Sequence, residues 1–324
     1  MNISVVVPTL NRLEDLKTFL RSLEKQTCLP NELLIVDQSD NDETLETLDT
    51  YKSLLPFELK YIRTNKKSLT EAKNLAVTHL NHQTDLVAFF DDDVELFNDF
   101  LQKMVLVFRD DYKKEYAVAT GMISHEGNNK PDIGSFRKLL VSIDSFLCRF
   151  FILGSPGSGK FKINGSPSFY NKSMNDPSDV EVISGGVSVF RKEILNTFKF
   201  DGNMKAYCYM EDVDIGYRIS RKYKNTFVPA ARVYHHHSPT SRSDKTITRS
   251  QFIQNYCYLF YKNIPRNILT CAAFVWSLAG LFAIALFELQ FQSLLGYARG
   301  LGRVILNQYD SLYPGWKKNM EQYQ

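Results

Sequence analysis

Up to residue 90 the chain alternates apolar runs with helical patterns almost without a break, and this alternation limits the fold more than any other feature. Apolar runs at 3–7, 32–36, 59–62 and 86–90 read as buried strands. Between them Leu13, Leu16, Phe19, Leu20 and Leu23 keep helical spacing, as do Leu69, Ala72, Leu75, Ala76 and Leu80. Such a pattern predicts an α/β fold, a Rossmann-like, mostly parallel sheet with helices on both faces. Sheets of this kind bind ligands at the carboxyl ends of their strands. The polar residues fall there: Pro8, Thr9 and Asn11 after the first run, Asp37 and Gln38 after the second, Asp91, Asp92 and Asp93 after the fourth.

Three adjacent carboxylates at the end of a buried strand repel one another unless a cation sits on them. A hard divalent metal with oxygen ligands is the usual answer; a solvated turn or helix cap is the plain alternative. A second cluster, Glu211-Asp212-Val213-Asp214, opens a helical pattern. One of its carboxylates is placed to act as a base, although acidic residues also favour a helix N-terminus for its dipole. Asp214 and Arg218 stand one turn apart, as a pair that stabilises the helix. A metal clamp on a phosphate and a separate base are the minimum equipment for moving a group off a diphosphate. The glycine-rich run from Gly154 to Lys160 satisfies the spacing of a phosphate loop. That loop needs Ser or Thr next and a helix starting there, and Phe161 follows instead.

A net charge of +3 and the absence of any dense Lys/Arg run argue against a nucleic-acid partner. Five cysteines, far apart and without a CxxC pair, fit a reducing compartment rather than a disulfide framework or zinc site. The N-terminus enters a strand at once, without a signal peptide, so the catalytic region is expected in the cytosol. Residues 154–179 are rich in Gly, Ser, Pro and Asn and read as a long loop, a lid or disordered segment. Residues 268–287 then run for twenty residues without a charge, enough to cross a bilayer core. Lys262 and Arg266 precede this run and Arg299 and Arg303 follow it, so the flanks give no orientation. A spanning helix, an interfacial helix and a core or homodimer helix all stay open. Amphipathic spacing over 293–309 favours lying on the membrane surface.

Taken together, the motifs resemble the inverting glycosyltransferases of family 2, of GT-A fold, in particular bacterial rhamnosyl and glycan-assembly enzymes. The resemblance covers about residues 3–240 and rests on an ordered series. Val7-Pro8-Thr9-Leu10-Asn11-Arg12 matches the opening strand and turn, Ile35-Val36-Asp37-Gln38-Ser39 the nucleotide-binding strand end, and Ala72-Lys73-Asn74 a place where Ala-Arg-Asn is common. Phe90-Asp91-Asp92-Asp93 matches the DXD motif, and Gly185-Gly186, Phe200-Asp201 and Glu211-Asp212-Val213-Asp214 the acceptor half.

The resemblance implies a nucleoside diphosphate sugar as donor and Mg2+ or Mn2+ as cofactor. Asp93 would bind the metal directly, and Asp91 would face the ribose or the metal's water shell. Asp212 would be the general base, taking the proton of an acceptor hydroxyl within hydrogen-bond reach. Donor binding would fall to Pro8, Thr9, Asn11, Asp37, Gln38, Lys73, Asp91 and Asp92, and acceptor binding to Gly185, Gly186 and Glu211. Lys73 in place of Arg keeps a charge for a phosphate but loses the bidentate fork. Within Val233-Tyr234-His235-His236-His237, alternate side chains point to opposite strand faces. Three consecutive histidines therefore cannot meet one ion, and the family pattern points to His235 as the metal ligand. Arg242 would cover the diphosphate when its loop closes.

The expected organisation is a catalytic domain over 1–245, with a nucleotide-binding half at 1–98 and an acceptor half at 99–245, then a membrane-associated helical region at 246–324. The expected function is transfer of one sugar to a lipid-linked or cell-surface glycan acceptor at the cytosolic membrane face. The Q-x-x-R-W motif of processive synthases is absent, since Trp276 and Trp316 follow Phe-Val and Pro-Gly. Two other readings fit the sequence less well. A sugar nucleotidyltransferase would need a glycine- and basic-rich N-terminal signature, which Pro8–Arg12 is not. A membrane-anchored nucleotide-sugar binding module would be expected to lack Asp93 or Asp212, and both are present.

Overall fold

The structure is a computed structural model and describes residues 1–124, 135–154, 157–170, 175–205, 208–238 and 244–313, with the backbone alone over 135–141. The chain divides into two compact units, Met1–His125 with Lys172–Arg242, and Glu126–Asn171 with Ser243–Gln324. Residues 126–171, assigned from sequence to the acceptor half, group with the C-terminal residues in this division.

The first unit opens with β1 (Ile3–Thr9), α1 (Leu13–Glu24), β2 (Glu32–Asp37), α2 (Glu43–Tyr51), β3 (Glu58–Arg63), α3 (Leu69–Thr78) and β4 (Leu86–Phe90). These four strands are parallel, in the order β3-β2-β1-β4. The chain continues through β5 (Val94–Leu96), α4 (Phe100–Asp110) and β6 (Tyr116–Ser124); α5 (Ser135–Phe150) belongs to the second unit. It returns through β7 (Ser178–Val180), β8 (Val187–Arg191), α6 (Lys192–Thr197), α7 (Glu211–Ser220) and β9 (Lys224–His235). Beyond β4 the sheet runs β8-β6-β9-β5 with β7 beside β9, and β8 enters antiparallel to β4, so the second half is mixed.

Period-2 alternation sorts the strand side chains onto two faces. Val5, Val7, Leu33, Ile35, Ala88 and Phe90 pack into one core with Leu16, Phe19, Leu20 and Leu23 of α1. Val6, Leu34, Val36, Val87 and Phe89 pack into the other, with Ala72 and Ala76 of α3 and Ile215 and Ile219 of α7. Each Val, Leu, Ile or Phe fully buried in this way contributes roughly 1.5–3 kcal/mol relative to exposure, so the sheet is held from both sides. β9 runs for 12 residues. Its pairing with β6 shifts register between Gly121 and Met122, opposite a stretch that contains Pro229. A proline cannot donate to the ladder, so it sits at the irregularity and interrupts the apolar signal without ending the strand.

The second unit contains α5, α8 (Lys245–Asn263), α9 (Ile268–Phe287) and α10 (Phe291–Ile305). Residues 157–170 form isolated bridges, Phe161 opposite Pro167 among them, and no helix starts after the phosphate-loop look-alike. Asn267 and Thr270 form a capping box at the start of α9. The inner face of α9 is lined by small residues, Ala273, Ser277, Gly280 and Ala285.

Candidate active site

Every residue expected at the site and described in the structure lies in the first unit. Most stand at strand ends or at the start of α7. Arg242 lies outside the described residues.

The three aspartates after β4 do not share one face. Asp92 turns inward and is buried; it accepts from the Thr9 hydroxyl at 2.7 Å and from Arg12 Nη1 at 3.1 Å. Burial pushes its pKa up to about 7 against the pull of Arg12. Asp92 and Thr9, both expected on the donor side, therefore bind each other and lock β1 to the DXD turn. Asp91 and Asp93 face His235, which pairing of β5 with β9 sets opposite Val94. His235 Nε2 stands 2.9 Å from Asp93 Oδ1 and 4.0 Å from Asp91 Oδ2. Burial works against the Asp93 carboxylate, but the His235 hydrogen bond and the Ser238 amide at 2.9 Å hold its pKa down at about 2. Burial raises the pKa of Asp91, which Lys73 and His235 offset only in part. His236 turns away to Glu95 at 3.1 Å, and His237, at φ 53°, lays its ring 4.1 Å from that of His235.

One ligand atom from each of Asp91, Asp93 and His235 lies within 4.8 Å of the others. Two carboxylates and one imidazole, converging this closely and crowded by like charge, suit a hard or borderline divalent ion such as Mg2+ or Mn2+. The residues present fit that group.

Beside this cluster, Met210 takes a left-handed conformation at φ 76° just before α7. For a residue with a long side chain this backbone is strained, at a cost on the order of 1–3 kcal/mol, and such strain collects at functional sites. It opens α7 with Glu211 and Asp212. Asp212 accepts from the Gly185 amide at 2.9 Å and from the Val213 amide at 2.8 Å. Burial first, and then repulsion from Glu211, raise its pKa to about 7. Lys73, expected at the donor phosphate, is fully buried on this side instead. Its ammonium meets Glu211 at 2.8 Å and donates to the Gly185 carbonyl at 3.1 Å, with the Phe200 ring 5.0 Å away. Burial opposes the ammonium, yet Glu211, Asp91 and Asp212 hold its pKa above the usual lysine value. The (i, i+4) pair expected at Asp214 and Arg218 forms, at 2.7 Å and buried on both sides.

Gly185 and Gly186 separate the two groups of carboxylates, and close approach explains both. A Cβ on Gly186 would stand 2.2 Å from Asp91 Oδ2, and one on Gly185 would stand 2.6 Å from Glu211 Oε1 and 3.0 Å from the Asp212 Cβ. The metal-type cluster and the base-type cluster thus rest against consecutive residues.

At the end of β2, Asp37 is fully buried, accepting from the Ser39 amide at 2.8 Å and the Tyr61 hydroxyl at 2.9 Å. Gln38 accepts from the Ser68 amide at 2.7 Å, which fixes its oxygen inward. Asn11, at φ 55°, donates its amide to Ser39 at 2.8 Å, so the β1 and β2 turns brace each other. Pro8 pairs with Val36 in the ladder. Sequence reasoning passed over Arg12, Tyr61, Ser68 and Ser238, whose partners sit 24 to 145 residues away. Only Arg12 had a signal, as the last residue of the opening motif.

Comparison with known proteins agrees with this geometry. Residues 4–198 match the model of glycosyl transferase family 2. An uncharacterized glycosyltransferase of Bacillus subtilis, YfnE, is 23% identical over 253 residues, which is 68% of this chain and 60% of that protein. The poly(ribitol-phosphate) beta-N-acetylglucosaminyltransferase TarS of Staphylococcus aureus is 29% identical over 108 residues, 33% of this chain and 18% of TarS. This chain therefore spans less than two thirds of either relative. Among solved structures, the mannosyltransferase PcManGT of Pyrobaculum calidifontis with GDP-Man and Mn2+ superposes with TM-score 0.55 at 15% identity, over 99% of this chain and 84% of its own. Residues 1–349 of S. aureus TarS with UDP-GlcNAc superpose with TM-score 0.52 at 15% identity, over 96% and 93%. These two show the fold, GT-A; the family match, over more than half of the chain, shows the family: the chain belongs to glycosyl transferase family 2.

Proposed function

We propose that this glycosyltransferase moves one sugar, with inversion, from a nucleoside diphosphate sugar to a hydroxyl of a lipid-linked or cell-surface glycan, working at the cytosolic membrane face. The observation that carries the reading is the Gly185–Gly186 dipeptide, with the Asp91–Asp93–His235 cluster against one residue and Asp212 against the other. Asp91, Asp93 and His235 would hold Mg2+ or Mn2+. When bound, the ion supplies positive charge to the departing diphosphate. Solved members of this fold hold GDP-Man with Mn2+ and UDP-GlcNAc, so the fold itself does not choose the base.

The proton transfer belongs to Asp212. Its carboxylate accepts the proton of the acceptor hydroxyl as that oxygen bonds to the anomeric carbon. The bond from that carbon to the diphosphate breaks on the opposite face, and the nucleoside diphosphate leaves with the electron pair. The Gly185 and Val213 amides hold the carboxylate in one orientation throughout. Lys73 keeps Glu211 and the Gly185 carbonyl fixed, which positions the amide that orients Asp212. Asp212 must be deprotonated to act, and its pKa lies at about 7. Activity is therefore expected to fall as the pH drops below about 7 and to level off above it. Asp212→Asn should lower kcat by roughly 10²–10⁴-fold, the usual weight of a general base, and remove this pH limb.

Calorimetric titration of UDP, dTDP and GDP into the protein, with and without Mn2+ and beside Asp93→Ala, tests the donor side. Metal-dependent binding of one nucleotide, lost in Asp93→Ala, supports the reading. Absence of metal-dependent binding for all three would leave a binding module without this chemistry as the better account.

A further inference from the structure

Among the described residues α9 is the helix long and apolar enough to cross a membrane, with a mean hydropathy of 2.2 and 22% of its apolar window buried. Its outer face is bare: Ile268 is 92% exposed, Leu269 67%, Val275 63% and Leu286 60%. Exposed Phe287, Leu289 and Phe291 carry this surface through the turn into α10. There Phe291, Leu295 and Ile305 continue it at the spacing of one helical stripe.

The packing of α9's inner face argues against an upright, spanning helix. Tyr256 of α8 bonds Ser277 at 2.9 Å, and Phe260 of α8 stacks on Phe274 at 4.0 Å. Phe282 meets Tyr297 of α10 at 5.7 Å, which folds α10 back along α9. Upright, α9 would draw α8 and α10 into hydrocarbon. These carry Arg299 and Arg303 on α10 and Gln254 and Asn255 on α8, and arginine deep in a bilayer is expensive unless it reaches water or a partner. Lying flat, the outer stripes enter the boundary between headgroups and acyl chains while the polar residues stay wet. Arg266 and Arg299 are exposed and make no ion pair among the described residues; Arg266 lies over the Tyr261 ring at 4.4 Å. Two exposed guanidinium groups beside an apolar stripe complement anionic lipid phosphates, where a second copy of the chain would meet like charge.

We propose that α9 and α10 dock on an anionic lipid bilayer as an in-plane helical hairpin embedded in one leaflet, with no segment crossing. The inference is independent of the catalytic reading. Flotation of the full chain with vesicles of phosphatidylglycerol and phosphatidylcholine, against phosphatidylcholine alone, measures the docking. Leu269→Gln with Leu286→Gln should lower partitioning tenfold or more. Each of Arg266→Gln and Arg299→Gln should lower it about fivefold on the anionic vesicles only. All four positions are exposed, so circular dichroism and nucleotide titration should not change.

Depth is read by tryptophan quenching with lipids brominated near the carbonyl or near the chain end. Trp276 is followed in Trp316→Phe, and the helix ends in Leu269→Trp and Leu286→Trp made without the native tryptophans. Shallow quenching at all three positions is the expected result. Deep quenching at Trp276 with shallow ends would mean a spanning helix and overturn the proposal. So would failure to float together with a dimer that Leu269→Gln and Leu286→Gln dissolve, since a second copy would then cover the face.

Discussion

Lys73 is where a single residue was best placed by sequence and least well understood from it. The Ala-Lys-Asn motif marked the position, but a strand-and-helix pattern cannot say which way a long side chain turns. Folding buries the ammonium entirely and gives it Glu211, a residue 138 positions away. Burial makes this pair asymmetric. Removing one partner strands the other charge without water, at about 3–5 kcal/mol, whereas removing both leaves far less to satisfy. Lys73→Met should therefore lower the urea-unfolding free energy by about 3–5 kcal/mol, and adding Glu211→Gln should restore a large part of that loss. Additive effects in the double variant would mean that the pair carries no such coupling. Asp92 teaches the same lesson. The DXD motif assigns Asp92 to the donor, but adjacent side chains at a strand end diverge, and Thr9 with Arg12 claims the middle one.

At the scale of elements, the parallel half of the sheet was legible because each strand is a short continuous apolar run between helices of clear period. Predicted runs at 3–7, 32–36, 59–62 and 86–90 became β1 to β4 with ends moved by no more than two residues. The mixed half was not legible. Strand β8 contains Val187 and Val189 beside Ser188 and pairs antiparallel with β4, a partner about a hundred positions away that no local pattern identifies. Strand β9 hid behind Pro229. The Gly185–Gly186 turn before β8 was seen as a motif and assigned to acceptor binding; folded, it also provides room for Asp91 and Asp212. Gly186→Ala isolates that role. Its added methyl would stand 2.2 Å from the Asp91 carboxylate, so Asp91 must swing away, while the core on either face is untouched. Metal-dependent nucleotide affinity should fall at least tenfold with little change in melting temperature. Unchanged affinity would show that Asp91 takes up the methyl without leaving its place.

The whole molecule assembles its site from segments that lie far apart in sequence: the β1 and β2 turns, the DXD turn, the double glycine, the start of α7 and the end of β9. The sheet order β3-β2-β1-β4-β8-β6-β9-β5 brings them together. A motif scan found most of these segments, because each sits at a strand end or helix start with a distinctive composition. It missed their cross-links, Tyr61 to Asp37, Ser68 to Gln38 and Ser238 to Asp93, because hydrogen bonds between distant loops leave no periodic trace. These links tie the loops into one cooperative unit. Hydrogen exchange with and without Mn2+ and the bound nucleotide should reveal them. A ligand held at 100 times its Kd stabilises the binding-competent state by about 2.7 kcal/mol, near a hundredfold slowing for amides that exchange by opening of the site. Amides at 38–39, 68, 185, 213, 236 and 238, which the structure bonds to site residues or to one another's loops, should slow together. Protection confined to 38–39 and 68 would mean that the nucleotide engages the β2 turn without closing on the DXD and α7 segments, and that the site is not assembled as one piece.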